Sequence, residues 1–130
     1  MIVVDASILA PALADDESDG ALVRARLHGE QLAAPELIDL EVISTLRRAA
    51  RAGRLDDRRS SQALADLAAL PLKRVPHLPL LSRIWELREN LTAYDAAYVA
   101  LAEALGALLL TADKPLSRAS GIRCAVEVLG

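Results

Sequence analysis

Short β-branched runs alternate along this chain with longer stretches of helical periodicity. Ile2-Val3-Val4, ending at Asp5, has the unbroken apolar character of a strand buried on both faces. Ser7 to Ala14 reads as a short helix, with Pro11 expected near a first turn or a kink. The acidic residues Asp15, Asp16, Glu17 and Asp19 favour the start of a second helix running to about His28, because carboxylates complement a helix N-terminus. Gln31-Leu32-Ala33-Ala34 predicts a strand, and Pro35 the first turn of a long helix over Glu36–Ala52 that Gly53 closes. A helix over Asp56–Leu70 stops at Pro71, followed by a strand at Leu72-Lys73-Arg74-Val75. Pro79–Leu91 reads as helical, and Thr92 opens a further helix that Gly106 ends after Leu105. Ala107–Thr111 is a predicted buried strand, Pro115–Ala119 a helical turn, and Ala125-Val126-Glu127-Val128 the last strand. Strands alternating with helices predict an α/β sandwich whose central sheet is mainly parallel and covered on both faces.

Composition narrows the function. A length of 130 residues predicts a single domain over 1–130, and 53% hydrophobic with 25% charged residues excludes a disordered tail. The net charge of −3 argues against a surface that is cationic throughout, as a general nucleic-acid mould would be. With 2% aromatic residues and no Phe, base-stacking platforms are excluded. The single cysteine, Cys124, cannot form an internal disulfide and is expected as an inert buried thiol opening the last strand. Met1 leads directly into the first strand without a basic n-region, and the apolar run Ala104–Leu110 is too short to span a membrane, so a cytoplasmic protein is expected.

Three features place carboxylates where chemistry can happen. In open α/β sheets ligands sit off the C-terminal strand ends, and Asp5 and Asp113 fall at two such ends. If their strands are neighbours, two negative charges meet at one rim, at a cost unless a cation or proton intervenes. Asp39 and Glu41 lie in an otherwise apolar helix opening, Leu37-Ile38-Asp39-Leu40-Glu41-Val42-Ile43, and point roughly 200° apart, so one of them is a candidate to look inward. Thr92 as N-cap places Asp95 at N3, a capping-box arrangement in which the helix dipole is expected to hold the carboxylate ionised. Capping or a turn role explains each residue alone.

The segments Val3-Val4-Asp5-Ala6-Ser7, Leu40 to Arg48, Leu91 to Ala102 and Leu110 to Leu116 together resemble, in order and spacing, the four blocks of PIN-domain ribonucleases, and the length is similar to that of VapC toxins of VapBC toxin–antitoxin modules. The resemblance implies a PIN-like three-layer α/β/α sandwich. It implies that Asp5, Glu41, Asp95 and Asp113 form a Mg²⁺ or Mn²⁺ site for hydrolysing RNA to 3′-hydroxyl and 5′-phosphate ends, supported by Ser7 and Thr111. It also implies a VapB-like antitoxin partner and a homodimer. The stretch Lys114 to Val126 contains no carboxylate or Asn, so the further acidic position that some members carry after the last Asp is missing. Independently, carboxylates without His or Cys partners suit hard, oxygen-loving cations.

Other features have narrower readings. Arg47, Arg48, Arg51, Arg54, Arg58 and Arg59 form either a solvated helix junction, partly neutralised by Asp56 and Asp57, or a contact for RNA phosphates or an acidic antitoxin segment. Lys114 is a further candidate phosphate contact, against a surface role in a turn. His28 and His77 read as helix-end or surface residues, and Trp85 as core or interface packing. Two other classes compete with a nuclease. A phosphoacceptor receiver domain finds Asp5, Thr111 and Lys114, but Arg47–Arg59 lacks its mid-strand Asp; a haloacid-dehalogenase-like phosphatase wants a carboxylate where Ser7 stands. A catalytically weak PIN fold acting as a binding module is the remaining alternative.

Overall fold

The computed structural model describes residues 1–130. Five strands form one sheet in the order β3-β2-β1-β4-β5: β1 Ile2–Val4, β2 Leu32–Pro35, β3 Leu72–Val75, β4 Leu108–Thr111 and β5 Val126–Val128. Every neighbouring pair is parallel. Val3, Val4, Leu109 and Leu110 are fully buried, as the continuous apolar runs of β1 and β4 require in a sheet covered on both faces.

The helices are α1 Ala6–Ala14, α2 Ser18–Leu27, α3 Ile38–Arg51, α4 Asp57–Ala69, α5 Leu81–Glu86, α6 Ala93–Leu105 and α7 Lys114–Ser117, with a 3₁₀ turn at Leu78–Leu80. Helices α1, α3 and α4 pack together, while α6 lies against β1, β2 and β4. Helix α6 buries Ala96 to Ala102 without a break, as a helix held between the sheet and α5 must. These are the three layers expected. Arg83 fastens the far end of that layer: its guanidinium donates to both oxygens of Glu103, at 2.7 and 3.1 Å, and to the Gly121 carbonyl at 2.7 Å. Burial pushes the Glu103 carboxyl up, but this pair and the Arg123 N–H outweigh it and hold the group below its usual range.

Four local expectations need correction. Pro35 ends β2 instead of opening a helix. The ladder to β3 continues one residue further, with the Glu36 N–H donating to the Val75 carbonyl at 3.1 Å, so the backbone stays extended and α3 begins only at Ile38. Pro11 sits well inside α1, which excludes the first turn, one of its two expected places. The predicted helix Pro79–Leu91 is a 3₁₀ turn, a short α5 and a run of turns, in which Arg88 N–H bonds Trp85 and Asn90 N–H bonds Leu87. Trp85 is not in the core: it is 67% exposed, with the Arg88 guanidinium 4.4 Å from its ring centroid. His28 and His77 are both exposed, and Cys124 is half-buried just before β5, its thiol pushed up chiefly by burial.

Candidate active site

The chain runs outward from β1 through β2 to β3, then returns to place β4 on the other side of β1. Ligand sites of open parallel sheets form at such a switch, beyond the C-terminal strand ends. Asp5 follows β1 and Asp113 follows β4, the two strands that flank this point. The register Val4↔Leu110 puts Asp5 beside Thr111.

Asp5 caps α1 and is held on both oxygens. Its Oδ1 accepts from the Ser7 N–H at 3.1 Å and the Ser7 hydroxyl at 2.5 Å, and its Oδ2 accepts from the Thr111 hydroxyl at 2.5 Å. The same two hydroxyl oxygens accept from the backbone: Ser7 Oγ from the Ala112 N–H at 2.9 Å, Thr111 Oγ1 from the Asp113 N–H at 3.0 Å. Each hydroxyl has a single proton. Both protons are therefore committed to Asp5, and the two side chains tie the start of α1 to the loop after β4.

Asp39 and Glu41 separate as their angular offset requires. Asp39 accepts on both oxygens from the single Arg74 Nε–H, at 2.8 and 3.0 Å, whereas Glu41 turns to the cleft and accepts from Tyr98 Oη at 2.5 Å. Asp95 stands at N3 of α6 with its N–H on Thr92 Oγ1 at 3.2 Å, the cap the spacing predicts. Asp113 caps α7 through an Oδ1 contact with the Leu116 N–H at 3.3 Å.

Asp5, Glu41, Asp95 and Asp113 line one cleft of about 570 Å³, with Ser7, Arg48, Tyr94, Tyr98 and Leu40 among its walls. No three of these carboxylates stand close enough together in this conformation to hold a cation among them. Their proximity is felt electrostatically. Burial, opposed by the Ser7 and Thr111 hydrogen bonds, raises the Asp5 carboxyl above its ordinary range. Burial raises Glu41, and the charges of Asp95 and Asp5 add to it. Burial raises Asp95, reinforced by the charge of Asp113. Desolvation and the charge of Asp113 thus oppose the ionised form that a helix N-terminus favours.

The sign at Asp95 gives a prediction. A carboxyl raised in the folded state contributes stability fully present below its unfolded pKa and lost as pH rises through the folded value. At neutral pH without divalent cations the Asp95 charge is a destabilising feature, and Asp95→Asn is expected to raise the thermal midpoint. The gain shrinks as pH falls into the carboxylate range. A midpoint at pH 7 that does not rise, read by calorimetry in chelator, contradicts this account.

The basic candidates divide. Arg48 lines the cleft, its Nη2 donating to Thr45 Oγ1 at 3.2 Å. Arg59 is structural, bound to Asp16 at 2.8 and 2.9 Å and to the Leu13 carbonyl at 2.7 Å. Arg54 borders a neighbouring depression, while Arg47, Arg51 and Lys114 are exposed and away from the cleft lining. Tyr98 is the functional candidate that sequence reading missed. Its signal was available in the spacing of Asp95 and Tyr98, which places them on one helix face.

A PIN-domain family model matches residues 2–122. The chain is 45% identical over 129 residues to VapC ribonuclease Mb0985 of Mycobacterium bovis, covering 99% of this chain and 98% of that protein. The structure of PAE2754 from Pyrobaculum aerophilum is similar with a TM-score of 0.70 and 29% identity, covering 98% of this chain and 83% of that one. A toxin–antitoxin complex from Klebsiella pneumoniae contains a chain with the same fold, at a TM-score of 0.64 and 19% identity, covering 98% of this chain and 97% of that one.

Proposed function

This chain belongs to the PIN-domain family, and we propose that it is a metal-dependent endoribonuclease, the toxin of a type II toxin–antitoxin module. One observation carries the reading: carboxylates from four separated segments, Asp5, Glu41, Asp95 and Asp113, line a single cleft at the switch point of the sheet. The family match sets aside the receiver-like and phosphatase-like readings.

The donor set fits Mg²⁺ or Mn²⁺. It consists of carboxylate and hydroxyl oxygens with no His or Cys, and three of its members bind protons more tightly than free carboxylates do. Asp5, Glu41, Asp95 and Asp113 would hold the cation. A divalent ion held by these residues would supply a more acidic water and charge neutralisation for a phosphodiester. The chain's own residues do the rest. Ser7 and Thr111 spend their hydroxyl protons on Asp5, fixing both of its oxygens. Arg48 stands on the cleft wall, where its planar fork suits a phosphate. Arg47 and Arg51, exposed on the same helix, suit RNA beyond the cleft or an acidic stretch of antitoxin.

The substrate is RNA, the regulator a cognate VapB-like antitoxin, the assembly a homodimer, and the compartment the cytoplasm; one PIN unit occupies residues 1–130. No helix is long and apolar enough to cross a membrane. Net charge is no obstacle. Assigning four acidic residues to the cation site leaves 14 acidic residues against 15 basic ones.

Titrating Mn²⁺ into the metal-free protein is expected to raise its thermal midpoint, with a stabilisation of about 2.7 kcal/mol at 100 times the dissociation constant. Asp5→Asn should abolish that shift. A midpoint indifferent to Mn²⁺ favours a catalytically weak binding module. Mapping cleavage ends in total RNA then identifies the target.

A further inference from the structure

Glu41 differs from the other cleft carboxylates in how it is held. Asp5 accepts three hydrogen bonds from two residues, and Asp113 accepts one from the backbone of its own turn. The Glu41 carboxylate stands on a longer side chain and accepts from one donor, Tyr98 Oη, at 2.5 Å. That donor is well fixed. Tyr98 is 2% exposed and belongs to the buried core, yet it also lines the cleft. It lies three residues beyond Asp95 on α6, so one helix face carries both a cleft carboxylate and the hydroxyl that reaches the carboxylate of α3.

We propose that Tyr98 is a positioning residue: its hydroxyl pins Oε1 of Glu41 and leaves Oε2 as a fixed oxygen ligand toward the cleft. The inference rests on the cation reading of the cleft. A phenol suits the task because it has one proton to give, spent here on Glu41, and its rigid ring cannot follow the carboxylate into other rotamers. Groups that orient a ligating carboxylate in this way commonly account for about 10–100-fold in metal affinity. A hydroxyl that merely satisfied itself on the nearest acceptor would leave that affinity untouched.

The test measures Mn²⁺ binding to the full chain without RNA, by the loss of the free-ion electron paramagnetic resonance signal. Tyr98→Phe keeps the buried ring and removes only the proton donor. Its Mn²⁺ dissociation constant is expected to rise about 10–100-fold, and RNA cleavage to recover toward that of the unaltered chain as Mn²⁺ is raised. Unchanged Mn²⁺ affinity in Tyr98→Phe, with binding lost in Asp5→Asn, overturns the positioning role alone. Undiminished binding in Asp5→Asn overturns the cation reading and the inference with it. Glu41→Gln and the double variant give a second check. If Tyr98 acts only through Glu41, adding Tyr98→Phe to Glu41→Gln costs no further affinity; additive losses contradict the proposal.

Discussion

Asp5→Asn is expected to reduce Mn²⁺-dependent RNA cleavage at least ~100-fold, a barrier increase of about 2.7 kcal/mol, while leaving the fold intact. The two halves of that expectation come from different parts of the residue. As the N-cap of α1, Asp5 accepts from the Ser7 N–H, and Asn caps nearly as well as Asp. As a charge, it has no substitute: the amide offers one acceptor where the carboxylate offers two, and it carries no negative charge toward a cation. The amide nitrogen would also meet a hydroxyl that now donates, either Ser7 or Thr111, and force it to turn its proton elsewhere. Cleavage of total RNA by variants matched for thermal midpoint separates loss of chemistry from loss of fold. Asp113→Asn should behave likewise, since Asp113 lies beyond β4, the strand beside Asp5. Full activity in either variant would falsify the mechanism.

Gly20→Ala is the largest expected effect on stability, and here the sequence and the structure disagree in sign. Helix propensity alone favours Ala inside α2 by about 1 kcal/mol. The structure forbids it: a Cβ at position 20 would lie 1.9 Å from the Asp15 carbonyl oxygen and 2.7 Å from its carbon. Asp15 cannot retreat cheaply. Its N–H bonds the Pro11 carbonyl at 2.9 Å, its carbonyl accepts from Arg24 at 2.7 Å, and its side chain accepts from the Glu17 N–H at 2.8 Å. Overpacking of this kind costs about 3 kcal/mol against the propensity gain of about 1. A net loss of about 2 kcal/mol lowers the thermal midpoint of a domain this size by roughly 8 °C. Denaturant unfolding decides the matter; an Ala variant as stable as the original chain would show that the α1–α2 corner relaxes freely.

These two cases mark how far local reasoning reaches. Thr92 and Asp95 form the cap that their spacing predicts, and Gly53 and Gly106 follow their helices at φ +75° and +60°. Such devices involve neighbours in sequence, so the sequence displays them. Expectation failed where a distant partner intervened. Pro35 was drawn into a strand by its pairing with Val75, and the predicted helix Pro79–Leu91 gave way to turns that Asn90 anchors on the Ser120 carbonyl at 3.0 Å. At Asp95 burial and Asp113, a residue on another element, add a cost to the charged form that the local cap alone does not display.

The sequence by itself determined the alternation of strand and helix, the parallel sheet that alternation demands, and the carboxylates at strand and helix ends. Periodicity repeats every two residues in a strand and every 3.6 in a helix, so it records which face each residue occupies but not which element lies opposite. Only the tertiary structure set β4 beside β1, bringing Thr111 to Asp5 across 106 positions of chain, and carried Tyr98 to Glu41 across 57. Those pairings are decided by packing the whole core at once. The four carboxylates come to line one cleft only through that packing.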